Sequence, residues 1–271
     1  MTPLHSLTLG LVEGFTEFLP VSSTAHLILT AELLGISQTA FVKTFEIAIQ
    51  SGAILAVLVV YWRRFLDMTI LKKIIAAFIP TAVIGLALHG FAKEHLIGNI
   101  AVVLWALAIG GVALILFEKF LRKTTKNDAN STGSDDDTAE STATHEIQSL
   151  SYRKAALIGV AQAVAIVPGV SRSAATIIGG LLAGMSRAAV VEFSFLLAVP
   201  TIGAATVLDL FKSSGSFSSD QTLSLMIGFI AAFVTALAGI KFLLSYVKGR
   251  SFVGFGVYRI LLVVVFIALF L

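Results

Sequence analysis

Six apolar stretches, at residues 45–62, 74–91, 99–118, 190–211, 223–247 and 252–271, constrain this chain more than anything else in it. Each approaches or exceeds the ~20 residues that an α-helix needs to cross the hydrocarbon core of a bilayer. Composition agrees: of 271 residues 57% are hydrophobic and 13% charged, whereas soluble domains carry about a quarter. The expected class is an all-α integral membrane protein, because helices satisfy their own backbone groups in lipid. Two halves inside one membrane unit fit the length better than two independent domains. The chain has no cysteine, which excludes disulfides and thiolate chemistry and leaves a structural zinc without thiolate ligands. The net charge of +3 is small, and no nucleic-acid partner is expected. No cleavable signal is expected, since the N-terminus lacks a basic run and Glu13 and Glu17 interrupt its apolar residues.

Three regions depart from the apolar pattern. Lys119 to Ile147 is rich in Asp, Ser and Thr; a flexible cytoplasmic linker is expected over 119–150, with His145 solvated. The other two are short and intramembrane. Residues 1–19 and 22–34 read as two short helices around Glu13-Gly14-Phe15-Thr16-Glu17-Phe18-Leu19-Pro20-Val21-Ser22-Ser23-Thr24-Ala25-His26. Glu13 and Glu17, at i and i+4, share one helix face. Pro20 stops that helix, and Ser22 or Ser23 caps the next, which carries His26. A similar interruption follows the linker, where Leu157 to Val167 leads through Pro168-Gly169-Val170-Ser171-Arg172-Ser173 into a short helix ending at Ala183.

The two interruptions are related. Shifted by 149 residues, Gly159 to Ala174 lies over Gly10 to Ala25, Val-Ser-Arg-Ser-Ala over Val-Ser-Ser-Thr-Ala, and Gln162 over Glu13. Each half then holds a re-entrant helix hairpin and three spans, over 1–118 and 151–271. Three is odd, so the halves form an inverted-topology repeat whose broken tips meet near the midplane. Charge supports the orientation. With the N-terminus outside, the inner segments hold fourteen basic residues, among them Arg63, Arg64, Lys72, Lys73, Arg153 and Lys154, while the outer ones keep Lys43, Lys93 and Lys212.

If the tips meet, Glu13, Glu17, Ser22, Ser23, Thr24 and His26 face Ser171, Arg172 and Ser173. Arginine is a planar fork suited to phosphate oxygens. Helix N-termini rich in Ser and Thr add backbone and hydroxyl donors. An anion with several oxygens, such as a phosphoanhydride, is the expected guest. The glutamates either share a proton or hold a divalent cation. Ser23 or His26 is a candidate nucleophile, and His26 a candidate acid or base. His5, His89 and His95 are expected at the interface. Glu46 and Gln50 either line the same cavity or bind a neighbouring helix.

These motifs resemble the two signatures of bacterial undecaprenyl-pyrophosphate phosphatases of the bacitracin-resistance type, and Glu192-Phe193-Ser194-Phe195-Leu196-Leu197-Ala198-Val199-Pro200 adds a third likeness. The resemblance implies a multi-pass protein of the bacterial cytoplasmic membrane with six spans, two hairpins and a site opening outward. The activity it implies is removal of the terminal phosphate from undecaprenyl pyrophosphate, which recycles the lipid carrier for peptidoglycan synthesis. Carried over by motif, Glu13 and Glu17 are the acidic pair and metal ligands. Ser23 is the hydroxyl, His26 the histidine and Arg172 the phosphate-binding arginine. A divalent cation, Mg²⁺ or Ca²⁺, is the implied cofactor; the partners are the polyprenyl pyrophosphate and membrane lipids, with a homodimer left open. Ala25 stands where glycine is common in that family. The broken helices also fit a transporter or flippase for a phosphorylated lipid, and more weakly a membrane scaffold.

Overall fold

The computed structural model describes residues 1–96, 98–125, 136–212 and 218–270, which are helical and, among the described residues, contain no strand. The helices in chain order are α1 (Pro3–Thr16), α2 (Ser23–Leu33), α3 (Ala40–Leu66), α4 (Met68–His95), α5 (Ile100–Thr125), α6 (Asp136–Ser149), α7 (Tyr152–Ala163), α8 (Arg172–Leu182), α9 (Arg187–Lys212), α10 (Ser219–Gly249) and α11 (Val253–Phe270). Six of these, α3, α4, α5, α9, α10 and α11, are long and apolar enough to cross a membrane. Over the described residues they contain the six apolar stretches of the sequence to within one residue at each end. Their outward faces are greasy: Trp105, Leu86, Ile109 and Leu269 are among the large apolar side chains left uncovered, as a lipid-facing surface requires.

Local signals set the helix ends. Pro3 opens α1, where a missing N–H costs nothing, and the Thr2 side chain accepts from His5 N at 3.2 Å. Asp67 ends α3 and caps α4 by accepting from Thr69 N and Ile70 N at 2.8 and 3.3 Å. α4 and α9 continue through Pro80 and Pro200.

Packing crosses between the halves. α1 lies along α10, α7 along α4, α3 along both α10 and α9, and α5 along α11. Small residues allow the close approaches, as is usual between membrane helices. A Cβ on Gly10 would stand 2.4 Å from the Gly228 carbonyl oxygen of α10, and one on Gly159 only 1.9 Å from the Ala77 oxygen of α4. Gly10 and Gly159 are the residues that the 149-residue shift pairs. Between them the largest core cluster runs from Phe18 and Val21 to Phe193, Phe195 and Leu243, with the Phe18 and Phe195 rings edge-on at 5.2 Å.

The linker expectation needs correction. Residues 126–135 lie outside the described residues, but 119–125 continue α5 and 136–149 form α6. Composition misses this helix because tertiary contacts hold it. Ala143, Ile147 and Leu150 are buried. Glu146 accepts from Ser186 N and Ser186 Oγ at 2.7 and 2.6 Å, just ahead of α9, and Gln148 donates to Asp67 Oδ2 at 2.6 Å. His145 is exposed, as expected, and so are His89 and His95 near the end of α4.

Candidate active site

Two helix breaks face each other in the interior. α1 ends at Thr16, a turn runs through Pro20, and α2 starts at Ser23; a 3-10 turn at Val164–Ile166 follows α7, and α8 starts at Arg172. The residue before each short helix has a left-handed φ: Ser22 at 71° and Ser171 at 75°. Such conformations are rare outside glycine, are strained by about 1–3 kcal/mol and concentrate at functional sites. They are the only non-glycine positive φ values among the described residues, and they lie 149 residues apart. Each serine also caps its helix: Ser22 Oγ accepts from Ala25 N at 3.4 Å and Ser171 Oγ from Ala174 N at 3.2 Å.

Both helix starts open on one cavity of about 110 Å³, lined by Glu17, Ser22, Ser23, Thr24, Gln50, Ser171 and Arg172 among others. The two N-termini give it free N–H groups and positive dipole ends. Across it Arg172 Nε and Nη2 donate to Glu17 Oε1 at 3.3 and 3.1 Å, and Arg172 Nη1 to the Ser194 carbonyl at 2.9 Å. Ser23 Oγ donates to the other Glu17 oxygen. One carboxylate thus holds the guanidinium and a hydroxyl together. A direct tip-to-tip bond, Ser173 Oγ to the Phe18 carbonyl at 2.7 Å, closes the arrangement.

Three of the expected residues do not line the cavity. Ser173 is spent on the tip-to-tip bond. His26 is turned away: Nδ1 meets the Ser22 carbonyl at 2.8 Å and Nε2 the Tyr258 hydroxyl at 2.7 Å. A carbonyl can only accept, so Nδ1 carries a proton there, and the ring holds the Ser22 backbone. Glu13 is fully buried one turn behind Glu17, and neither of its carboxylate oxygens has a hydrogen-bond partner. Buried carboxylates without donors are rare. This one suits a hard cation, which takes one or two carboxylates and completes its shell with water and substrate phosphate oxygens. No cluster of three or more Asp, Glu, His or Cys exists among the described residues, so Glu13 and Glu17 would be its protein ligands.

A second space adjoins the first. An apolar groove of about 620 Å³ runs past Val102, Trp105, Ile109, Val164 and Ile178, and shares Val167 with the polar cavity.

Comparison with known proteins identifies the group. The family model described as bacitracin resistance protein BacA matches residues 6–265. The chain belongs to the BacA family. Among its relatives are proteins named undecaprenyl-diphosphatase from Aquifex aeolicus (48% identical, covering 100% of both chains), Sulfurihydrogenibium (46%, 97% of both) and Bdellovibrio bacteriovorus (44%, 99% of this chain and 96% of the relative).

This BacA-family chain also has site residues that sequence reasoning missed. Tyr258 and Arg259 lie in the last apolar stretch; an arginine inside such a run was the available signal. Gln50 lines the cavity, the first of the alternatives open for this pair, whereas Glu46 is absent from that lining and accepts from Gln38 at 3.2 Å, in the segment just ahead of its own helix. Ala25 lies inside α2 and is not among the positive-φ residues, so a methyl group there strains nothing.

Proposed function

We infer that this protein is an undecaprenyl-diphosphatase: it hydrolyses undecaprenyl pyrophosphate to undecaprenyl phosphate and inorganic phosphate. This returns the lipid carrier to peptidoglycan synthesis and confers bacitracin resistance. The observation that carries the reading at the level of residues is the Glu17 carboxylate shared between Arg172 and Ser23 at the mouths of two helices. Arg172 and the helix N–H groups bind the terminal phosphate, displacing part of the Arg172–Glu17 pair. Glu17, relieved of that partner, takes the Ser23 proton as Ser23 Oγ attacks the terminal phosphorus. The P–O bond to the lipid phosphate breaks, and water then hydrolyses the phosphoserine. His26 holds the Ser22 carbonyl and keeps the α2 start in place. Glu13 and Glu17 would hold a Mg²⁺ or Ca²⁺ ion, which would supply neutralisation of phosphate charge. The prenyl tail lies in the apolar groove beyond Val167.

The two halves form an inverted repeat with re-entrant hairpins at its centre. Supporting this are the paired serines, the paired glycines, and the exchange by which α1 packs on α10 and α7 on α4. The protein resides in the bacterial cytoplasmic membrane with its site open to the outer face, in keeping with basic residues gathered at one set of span ends.

Purified protein should release phosphate from undecaprenyl pyrophosphate, with a chelator stopping it and Mg²⁺ or Ca²⁺ restoring it. Folded protein that instead moves the intact pyrophosphate across a liposome wall would overturn the reading.

A further inference from the structure

We propose that Arg259 is a positioning residue for this reaction: its guanidinium ties the two broken tips to each other and sets the gap between Glu17 and Arg172. The proposal rests on the phosphatase reading above. Arg259 is fully buried in α11. Its Nη1 donates to the Pro20 carbonyl of the first break at 3.4 Å and to the Val170 carbonyl of the second at 3.0 Å. Its Nη2 donates to the Gly169 carbonyl at 2.8 Å and to Ala106 on α5 at 3.0 Å, and Nε to Leu107 at 3.2 Å. One rigid fork therefore bridges both interruptions and α5.

Every one of these acceptors is a backbone carbonyl. Helix breaks leave carbonyls without their i+4 donor, and such groups are expensive to bury in lipid. Arginine offers five donors in a fixed plane, which a lysine cannot match. The neighbouring structure is cut to admit it. A Cβ on Gly110 of α5 would stand 2.2 Å from Arg259 Nη2, and Gly169 has a φ of +99° with the position of its missing Cβ only 2.6 Å from the Val103 oxygen. Pro20 lies three residues past Glu17, and Val170 two before Arg172. A change in tip separation thus passes straight to the 3.1 Å Arg172–Glu17 contact. Next to Arg259, Tyr258 holds His26 of α2, so α11 grips the first tip twice.

Two variants test this. R259K keeps the charge and loses the fork; G110A keeps the arginine and fills its notch. Both are purified in detergent beside wild type. Turnover is read with undecaprenyl pyrophosphate, and hydrogen exchange by mass spectrometry over residues 17–23 and 167–173. We expect kcat to fall about 100-fold, as for an ångström-scale misplacement, with KM within a few-fold. Exchange rises in both tip segments together while the melt stays cooperative. Adding S173A, which removes the direct tip-to-tip bond, costs less in R259K than in wild type, because the two share one gap. A kcat within twofold of wild type in both variants overturns the proposal. So does a KM increase at unchanged kcat, which marks a substrate contact, or exchange unchanged at either tip. An inactive wild type would sink the phosphatase reading, and the exchange measurement would still decide the role of Arg259.

Discussion

The two helix breaks have the same backbone and opposite electrostatics. Both turn through a left-handed serine into an 11-residue helix. Yet the position occupied by Glu13 in the first half holds Gln162 in the second. Gln162 is satisfied: its Nε2 donates to Thr81 and Thr201 at 3.1 and 3.0 Å, and its Oε1 meets the Thr176 hydroxyl at 3.2 Å. Glu13, buried as deeply, has no donor. At this one matched position the second half is satisfied and the first is not. Burying an unpartnered carboxylate is costly; a proton shared with Glu17 or a bound cation would relieve that cost.

The sharpest way to break this contrast is at the pair that spans it. Arg172→Lys should lower kcat/KM by about 10²–10³-fold, since a point charge replaces a two-pronged donor at the phosphate. Glu17→Gln should do comparable damage; phosphate release from undecaprenyl pyrophosphate reads both. An arginine variant that works normally would show that the second half contributes only scaffold and that Arg172 does not bind the phosphate.

The shared part of the comparison can be broken by adding a methyl group. Gly10→Ala and Gly159→Ala each force a Cβ into a facing backbone oxygen, so each should destabilise by about 1–3 kcal/mol. Thermal unfolding in detergent checks this, and a neutral result in one half alone would show that the halves pack differently.

Exchanging the distinguishing residues has a smaller effect on stability and a diagnostic sign. Glu13→Gln should leave the melting temperature equal or higher while weakening the dependence of turnover on divalent cation. Gln162→Glu should lose about 1–3 kcal/mol, because Thr81 and Thr201 lose their donors. Chelator titration and melting curves on both variants read the two effects. A lower melting temperature for Glu13→Gln would mean that the carboxylate is satisfied in the resting protein.

The smallest expected effect lies at the edge of the second half, where α6 touches Asp67. The hydrogen bond from Gln148, then that from Thr69 N, holds the Asp67 carboxyl below its ordinary value. A depressed carboxylate pKa stabilises the fold above the unfolded value and loses that contribution as pH falls below about 4. Gln148→Ala should lower stability slightly at neutral pH, leave it unchanged at strongly acid pH, and so flatten the acid slope. An unchanged acid slope would show the contact to be idle.

Much of this was readable in the chain. Apolar run length gave the six spans, because lipid imposes one simple requirement on every residue of a crossing helix. Pro20 and the Pro168-Gly169 pair gave the breaks, and the matched serines recur as the two left-handed residues ahead of the short helices. The sequence also pointed to Glu17, Ser23 and Arg172 as partners. It was silent where a residue's meaning depends on what faces it. Arg259 stands alone in an apolar run, and nothing along the chain says that carbonyls from residues 20, 106, 107, 169 and 170 converge on it. His26 looks like chemistry in the sequence and is occupied by Ser22 and Tyr258 in space. The polar segment that becomes α6 has weak local preference and is held by Ser186 and Asp67.

By itself, then, the sequence determined the medium, the number of crossings and the places where helices must stop, since these follow from local composition and from proline's missing donor. Only the tertiary structure decided which polar groups are satisfied and which are left waiting. Hydrogen bonding is a matter of ångströms between residues as far as 239 positions apart, such as Arg259 and Pro20, and no periodicity along a chain encodes that distance.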